Sequence, residues 1–436
     1  MNKKNVYIAI AADILHTGHI NVIKEGAKLG KVTLGILSDE AIASYKRLPV
    51  FDYDTRKNIF SNLKDVEEVV KQDSIDYTKN LELLKPDYVV HGDDWREGAQ
   101  KLIREKVIET LKLWNGKLIE VPYTRGLSAS DTQMLISKDL KSPDYRRGQL
   151  RRMLKLKPYV NVMEASNGLT GLIVENAKVY DEETSLNKEF DAMWISSLCD
   201  STFKGKPDIE LVDLTSRLNT INEVMEVTTK PIILDGDTGG KEEHFVFNVK
   251  TLERIGVSAI IIEDKTGLKK NSLFGTDVEQ TLANPEDFAH KIKMGKNALT
   301  TRDFLIFARL ESLIAGYGVD DALKRAKIYV EAGADGVMIH SKEKHGNDII
   351  EFLEKFREYS KDIPVIVVPT TYNHLTEKEL SNKGANIIIH ANHLLRSAYP
   401  AMMKTAESIL KHGRSKEADE YCMPIKQILN LIPGGK

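Results

Sequence analysis

The sequence predicts an α/β protein with two unlike halves, a Rossmann-like parallel sheet followed by a closed (β/α)8 barrel. Three observations carry that expectation. Apolar runs alternate with helix-like segments along the chain, the pattern of parallel strands covered by helices. Five such runs precede residue 140 and eight follow residue 150, and eight strand–helix units close a barrel. In the second half every run ends in something polar, and barrel enzymes carry their chemistry at that end.

In the first half the candidate strands are Val6–Ala12, Val32–Leu37, Val66–Lys71, Tyr88–His91 and Lys117–Val121. Ligands of such sheets bind beyond the carboxyl ends of the strands. His16-Thr17-Gly18-His19 follows the first run directly and opens a helical segment. A helix N-terminus attracts phosphate, and two imidazoles beside it can donate to developing negative charge. Between Ser137 and Lys157 the chain turns polar and basic, with Lys141, Arg146, Arg147, Arg151, Arg152, Lys155 and Lys157. Pro143 and Gly148 punctuate it. The expectation is a solvated connection over 141–157, between domains at 1–140 and 158–436, that runs into a short helix.

The barrel runs are Val160–Glu164, Ala192–Ile195, Ile232–Leu234, Ala259–Ile262, Leu305–Ala308, Gly336–Ile339, Val365–Val368 and Ile387–Ile389. The polar residues that close them are Glu164 and Ser166, Ser196, Asp235 and Asp237, Glu263, Arg309 and Glu311, His340, Thr370, and His390 with Asn392. The third run is central. It reads Ile232-Ile233-Leu234-Asp235-Gly236-Asp237-Thr238-Gly239-Gly240. In extended backbone, carboxylates two apart share a face. Paired oxygen ligands at a strand's end suit Mg²⁺, which keeps several waters and takes few protein carboxylates. With Glu263 they make an acidic site, and Arg309 and His340 supply a cation and a donor for an anionic substrate. The long polar loop Asp264–Asn284 carries Lys269 and Asn271 and reads as a lid that excludes water.

Net charge is −2, which gives no sign of nucleic-acid or membrane binding. Two cysteines, Cys199 and Cys422, exclude a disulfide framework and a four-cysteine zinc site. The apolar run at the start is broken by Asp13 and is too short for a signal peptide or a membrane span. A soluble cytoplasmic protein is expected.

The first 135 or so residues resemble the cytidylyltransferase family, especially its glycerol-phosphate branch. The resemblance rests on His16-Thr17-Gly18-His19, Lys46, Arg56 and His91-Gly92-Asp93-Asp94-Trp95. It implies a nucleotidyltransferase domain that uses CTP and Mg²⁺, with His16, His19 and Lys46 on the triphosphate and Asp94 at the nucleotide pocket. The family's fourth motif departs here: Tyr123 stands where a phosphate-binding arginine is expected, in Tyr123-Thr124-Arg125-Gly126-Leu127-Ser128-Ala129-Ser130. Arg125, two places on, is the candidate replacement, with Ser128 nearby. Loss of one cation from a triphosphate site weakens or abolishes transfer. The alternative is a non-catalytic nucleotide-binding module.

From about Arg151 onward the chain resembles the phosphoenolpyruvate mutase family of the isocitrate lyase superfamily. The matching segments are Glu164-Ala165-Ser166-Asn167-Gly168-Leu169, Asp235-Gly236-Asp237-Thr238-Gly239, Glu263-Asp264-Lys265, Lys269-Lys270-Asn271-Ser272, Ala308-Arg309-Leu310-Glu311 and His340-Ser341-Lys342. The resemblance implies that Asp235 binds Mg²⁺ while Asp208, Asp237 and Glu263 hold its waters. Ser196, Ser197 and Leu198 would cradle the substrate carboxylate beside Trp194, with Ser272 joining the substrate contacts. Lys269, Asn271, Arg309 and His340 would surround a moving phosphoryl group. Family members often carry glycine where this chain has Ser197. The implied reaction interconverts phosphoenolpyruvate and phosphonopyruvate. Superfamily lyases place a catalytic cysteine in the lid, and neither cysteine lies in Asp264–Asn284. A phosphonopyruvate hydrolase is the remaining alternative, and Asn271 argues against it. The stretch Gly413–Lys436, with an apolar segment around Ile425–Ile432, implies a helix on a neighbouring barrel and hence a homodimer or homotetramer.

Overall fold

The computed structural model describes residues 3–432 apart from 46, 97–99, 123–141, 182–185 and 268, with the backbone alone at Asp94. Five parallel strands open the chain: β1 (Lys4–Ile10), β2 (Gly30–Leu37), β3 (Glu68–Gln72), β4 (Tyr88–Gly92) and β5 (Lys117–Val121). Their order is β3-β2-β1-β4-β5, so the chain reverses direction across the sheet between β1 and β4. A crevice forms at such a switch point. Alternate residues feed separate cores: Val6 and Ile8 pack with Leu34 and Phe60, while Tyr7 and Ala9 pack with Leu81, Trp95 and Leu111. Burial on both faces is why these strands read as continuous apolar runs.

The second half begins with β6 (Val160–Glu164). A hairpin that the apolar pattern does not reveal follows: β7 (Lys178–Asp181) pairs antiparallel with β8 (Leu186–Glu189). Its residues are largely polar and exposed, so it carries no core signal. Then come β9 (Ala192–Ile195), β10 (Ile232–Asp235), β11 (Ala259–Glu263), β12 (Leu305–Leu310), β13 (Gly336–Ile339), β14 (Val365–Val367) and β15 (Ile387–His390). Together β6 and β9–β15 close an eight-stranded parallel barrel. One set of alternating residues, among them Val162, Trp194, Ile233, Ile261, Phe307 and Ile389, fills the barrel. The other set, including Ile195, Leu234, Ile260, Ile306 and Val337, packs against the surrounding helices. By the same alternation the next inward positions are Glu164, Asp235, Glu263 and Arg309, the residues at the strand ends.

From Pro143 the basic stretch is a helix, Pro143–Leu156, not a solvated connection. Ser142 caps it and Pro143 occupies its first turn, a favoured start. Leu150 and Met153 join the barrel's inner core, and Ala43 and Leu48 of the first domain join the same cluster. The arginines have a backbone reason to be here. The outer helices end at this mouth of the barrel, where their last carbonyls can take further donors. Arg146 donates to Thr228 O at 3.0 Å and Arg147 to Glu253 O at 2.7 Å. Both side chains are buried. The helix therefore plugs the amino end of the barrel and leaves the carboxyl end open to the loops.

At the other terminus, the helix His393–His412 and the short helix Ile425–Leu431 bury none of their residues. Among the described residues no helix is long and apolar enough to cross a membrane.

Candidate active site at the carboxyl end of the barrel

The predicted residues of the second half converge at the carboxyl mouth. Asp235, the last residue of β10, accepts from the Ser197 amide at 3.1 Å and its hydroxyl at 2.8 Å. Asp237 does not continue the strand. Its φ is +53°, so the chain turns through left-handed backbone there, a conformation that aspartate tolerates better than most residues. The two carboxylates meet through this turn, not through the expected extended spacing, and the Asp237 amide donates to Asp235 at 3.3 Å.

The lid loop delivers its side chains onto these acids. Lys269 donates to Ser197 Oγ and Asp208 Oδ1, each at 2.8 Å, and also to Asp237. Asn271 donates to the other oxygen of Asp208 at 2.8 Å. Ser272 donates to Glu311 at 2.6 Å and accepts from Arg309 at 2.6 Å. The base of the loop is pinned by Asp264, which is fully buried and accepts from Tyr329 at 2.8 Å and from the Glu311 amide at 2.9 Å. Lys269 and Ser272 are buried as well.

Arg309 joins the acids of neighbouring strands. Its Nη2 lies 2.6 Å from Glu263 Oε2, its Nη1 lies 3.8 Å from Asp235 Oδ1, and its Nε donates to Glu311. His340 places Nδ1 3.3 Å from Glu311. Trp194 sits in the barrel core below, and the Ser196 hydroxyl caps the helix Ser197–Phe203 by accepting from the Cys199 amide at 3.3 Å. Leu198 lies in that helix's first turn.

Two cations of the cluster have no role assigned in the sequence reading. Arg217 donates to Asp237 and, at 2.6 Å, to the backbone oxygen of Asp235. Its signal is its position: with Ile221 and Val224 it lies on the buried stripe of the helix Leu214–Val227, where an unpaired arginine is costly. Lys265 lies 3.4 Å from Glu263 and donates to Ser272 at 3.0 Å.

Burial and the neighbouring charges pull the acids in opposite directions. Burial pushes the Asp235 carboxyl up, but Lys269, Arg309 and Arg217 outweigh it and hold the group at about 2. For Glu263 burial wins against Arg309, with Glu311 adding to it, and the group rises to about 7. Both Glu263 carboxylate oxygens are buried without a well-aligned hydrogen bond. Such orphaned oxygens are expensive unless an ion or water meets them. Among the described residues no three acidic, histidine or cysteine side chains are close enough to ligate one metal directly.

Residues 150–410 match the model of phosphoenolpyruvate phosphomutase, well over half of the chain. The chain belongs to the phosphoenolpyruvate phosphomutase family. The phosphoenolpyruvate phosphomutase of Tetrahymena pyriformis is 35% identical over 295 residues, covering 67% of this chain and 93% of that protein. The crystal structure of phosphoenolpyruvate phosphomutase from Streptomyces platensis subsp. rosaceus has a TM-score of 0.59 at 33% identity and covers 65% of this chain and 93% of that one. A phosphonopyruvate hydrolase solved with oxalate and Mg²⁺ has a TM-score of 0.57 at 30% identity and covers 65% of this chain and 94% of that one. The barrel is thus an enzyme domain of the phosphoenolpyruvate mutase/isocitrate lyase superfamily. Residues 11–145 match a cytidylyltransferase-like family, which accounts for the first domain.

That domain has a cavity of its own. A cavity of about 350 Å³ opens at the switch point between β1 and β4, lined by Ile8, His16, His19, Tyr45, His91 and Trp95 among others. His16 caps the helix Thr17–Leu29 by accepting from the Gly18 amide through Nδ1 at 3.1 Å. A side chain on Gly18 would meet the His16 ring at 2.9 Å, which explains the glycine between the histidines. The His16 and His19 rings stack at 3.8 Å, and burial lowers the pKa of His16. Arg56, fully buried, ties the strand end together through Ala11 O and Asp39. Asp94 belongs to the single turn Asp93–Trp95 after β4. Lys46, Arg125 and Ser128 lie outside the described residues.

Proposed function

We propose that the barrel interconverts phosphoenolpyruvate and phosphonopyruvate. One observation carries this reading: lid residues Lys269 and Asn271 both seat on Asp208, over the acidic cluster, and neither cysteine lies in the lid. In the reaction the bond between phosphorus and the enol oxygen breaks, and one between phosphorus and carbon three of the same molecule forms. Phosphoryl transfer is loose, with charge on the peripheral oxygens. Arg309, Lys269 and Asn271 offer fixed donors to those oxygens, with His340 beside them, while Ser196, Ser197 and Leu198 hold the carboxylate over Trp194. Asp235, with Asp208, Asp237 and Glu263 around it, would hold Mg²⁺, which supplies charge neutralisation to the substrate oxygens when bound. The lid keeps water from the transferring group, since hydrolysis to pyruvate is the competing outcome. Asn271 favours the mutase over the hydrolase. Incubation with phosphonopyruvate, followed by ³¹P resonance, tests the reading: phosphoenolpyruvate supports it, and free phosphate supports hydrolysis.

For the first domain we propose transfer of CMP from CTP, with Mg²⁺, to a phosphonate or phosphorylated acceptor. His16, His19, Lys46 and Arg125 would meet the triphosphate, and Asp94 and Ser128 the nucleotide. The stacked histidine pair at a helix N-terminus inside a cavity supports it. Release of pyrophosphate from CTP with 2-aminoethylphosphonate, lost in His16→Ala, is the expected result. Failure to release pyrophosphate with any acceptor tested supports a binding module instead.

A further inference from the structure

The nucleotide cavity is not walled by the first domain alone. Leu186, the first residue of β8, comes from the barrel half and lines the cavity together with Ile8, His16, Tyr45 and Trp95. The hairpin that carries Leu186 is fastened to the first domain at its far end. Arg47 donates to Glu189, the last residue of β8, at 3.3 Å, to Glu175 at 2.9 Å and to Thr229 Oγ1 at 2.9 Å. The barrel holds these acceptors ready: Thr228 donates to Glu175 Oε2 at 2.6 Å, and Lys230, itself buried, lies 3.5 Å from Glu189. Tyr45 lines the cavity two residues before Arg47. One short segment therefore touches the ligand space at one end and the barrel at the other.

We infer that the barrel completes the nucleotide site in cis. Leu186 is an affinity-determining wall of that site, and Arg47 is the positioning residue that holds it there. The inference rests on the nucleotide reading of the cavity given above. Its physics is linkage. A ligand that covers the apolar face of Leu186 binds the docked arrangement more tightly than an undocked one, so binding and docking must reinforce each other by the same factor. Removing most of one buried leucine contact corresponds to about a tenfold change in affinity.

The test uses the full chain with CTP and Mg²⁺. Hydrogen exchange of the β7–β8 amides is followed with and without CTP, and CTP affinity is measured by calorimetry for wild type, Leu186→Ala and Arg47→Ala. The expected result is exchange of the hairpin amides slowed by CTP and affinity about tenfold weaker in both variants. If wild type binds CTP while hairpin exchange stays unchanged, the inference is overturned whatever the variants do, and the nucleotide reading stands. If wild type binds no CTP, the nucleotide reading falls and takes the inference with it.

Discussion

At the scale of single residues, the barrel site is a net of buried charges in which the acids lie against Arg217, Lys265, Lys269 and Arg309. Asn271 is the most diagnostic side chain, because it binds Asp208 from the lid and carries no charge of its own. Asn271→Ala should lower kcat at least about tenfold, as removal of one fixed donor does. Pyruvate and phosphate should also appear beside phosphoenolpyruvate in the product mixture. A variant with full rate and no hydrolysis would remove Asn271 from the mechanism. In the first domain, Glu120 is held down to about 2, first by its bonds to Arg104, with Arg96 and Trp95 adding, against partial burial that raises it. Its ordinary value is 4.5. The ionised group therefore supports the fold fully above that pH, and its support is lost as pH falls from there through about 2. Trp95, which donates to Glu120 at 3.0 Å, reports the change. Denaturant titrations read by tryptophan fluorescence should show an acid slope that Glu120→Gln flattens, and an unaltered slope would refute the assignment.

At the scale of elements, the plug helix Pro143–Leu156 decides whether the barrel has a floor. Leu150 is fully buried at the barrel's inner core, so Leu150→Ala should destabilise the barrel by about 2–5 kcal/mol, the usual range for such a cavity. The midpoint of urea unfolding measures it, and a change within about 0.5 kcal/mol would place the helix outside the core. The same helix shows where sequence reading stops. All eight barrel strands were visible as apolar runs because both their faces are buried, and the terminal polar residues marked the carboxyl end. The plug was not visible, because its buried arginines answer backbone carbonyls from elements more than seventy residues away, and nothing local distinguishes them from a solvated charge run. Asp235 and Asp237 lie side by side through a left-handed turn, which replaces the expected extended backbone. Arg217 and the β7–β8 hairpin were missed, the first for lack of a partner in its own helix and the second for lack of a core face.

At the scale of the molecule, the first domain and the acidic cluster lie at opposite ends of the barrel. The first domain docks at the amino end of the barrel through Arg47 and the plug helix, while the acidic cluster lies at the carboxyl end. The C-terminal helices expose Tyr399, Met402, Leu410, Ile425, Ile428 and Leu429, an apolar surface of the kind that subunits cover. We expect a homodimer or homotetramer, so sedimentation should give at least twice the 49.1 kDa chain mass. Leu410→Glu should shift the population towards smaller species, and a wild-type monomer at micromolar concentration would contradict the expectation. We propose that the barrel mouth guides a phosphoryl group between oxygen and carbon while keeping water out. The most direct measurement is the ³¹P spectrum of purified full-length protein with Mg²⁺ and phosphonopyruvate. The phosphonate signal should give way to that of phosphoenolpyruvate without inorganic phosphate; a spectrum in which inorganic phosphate alone grows would contradict the account.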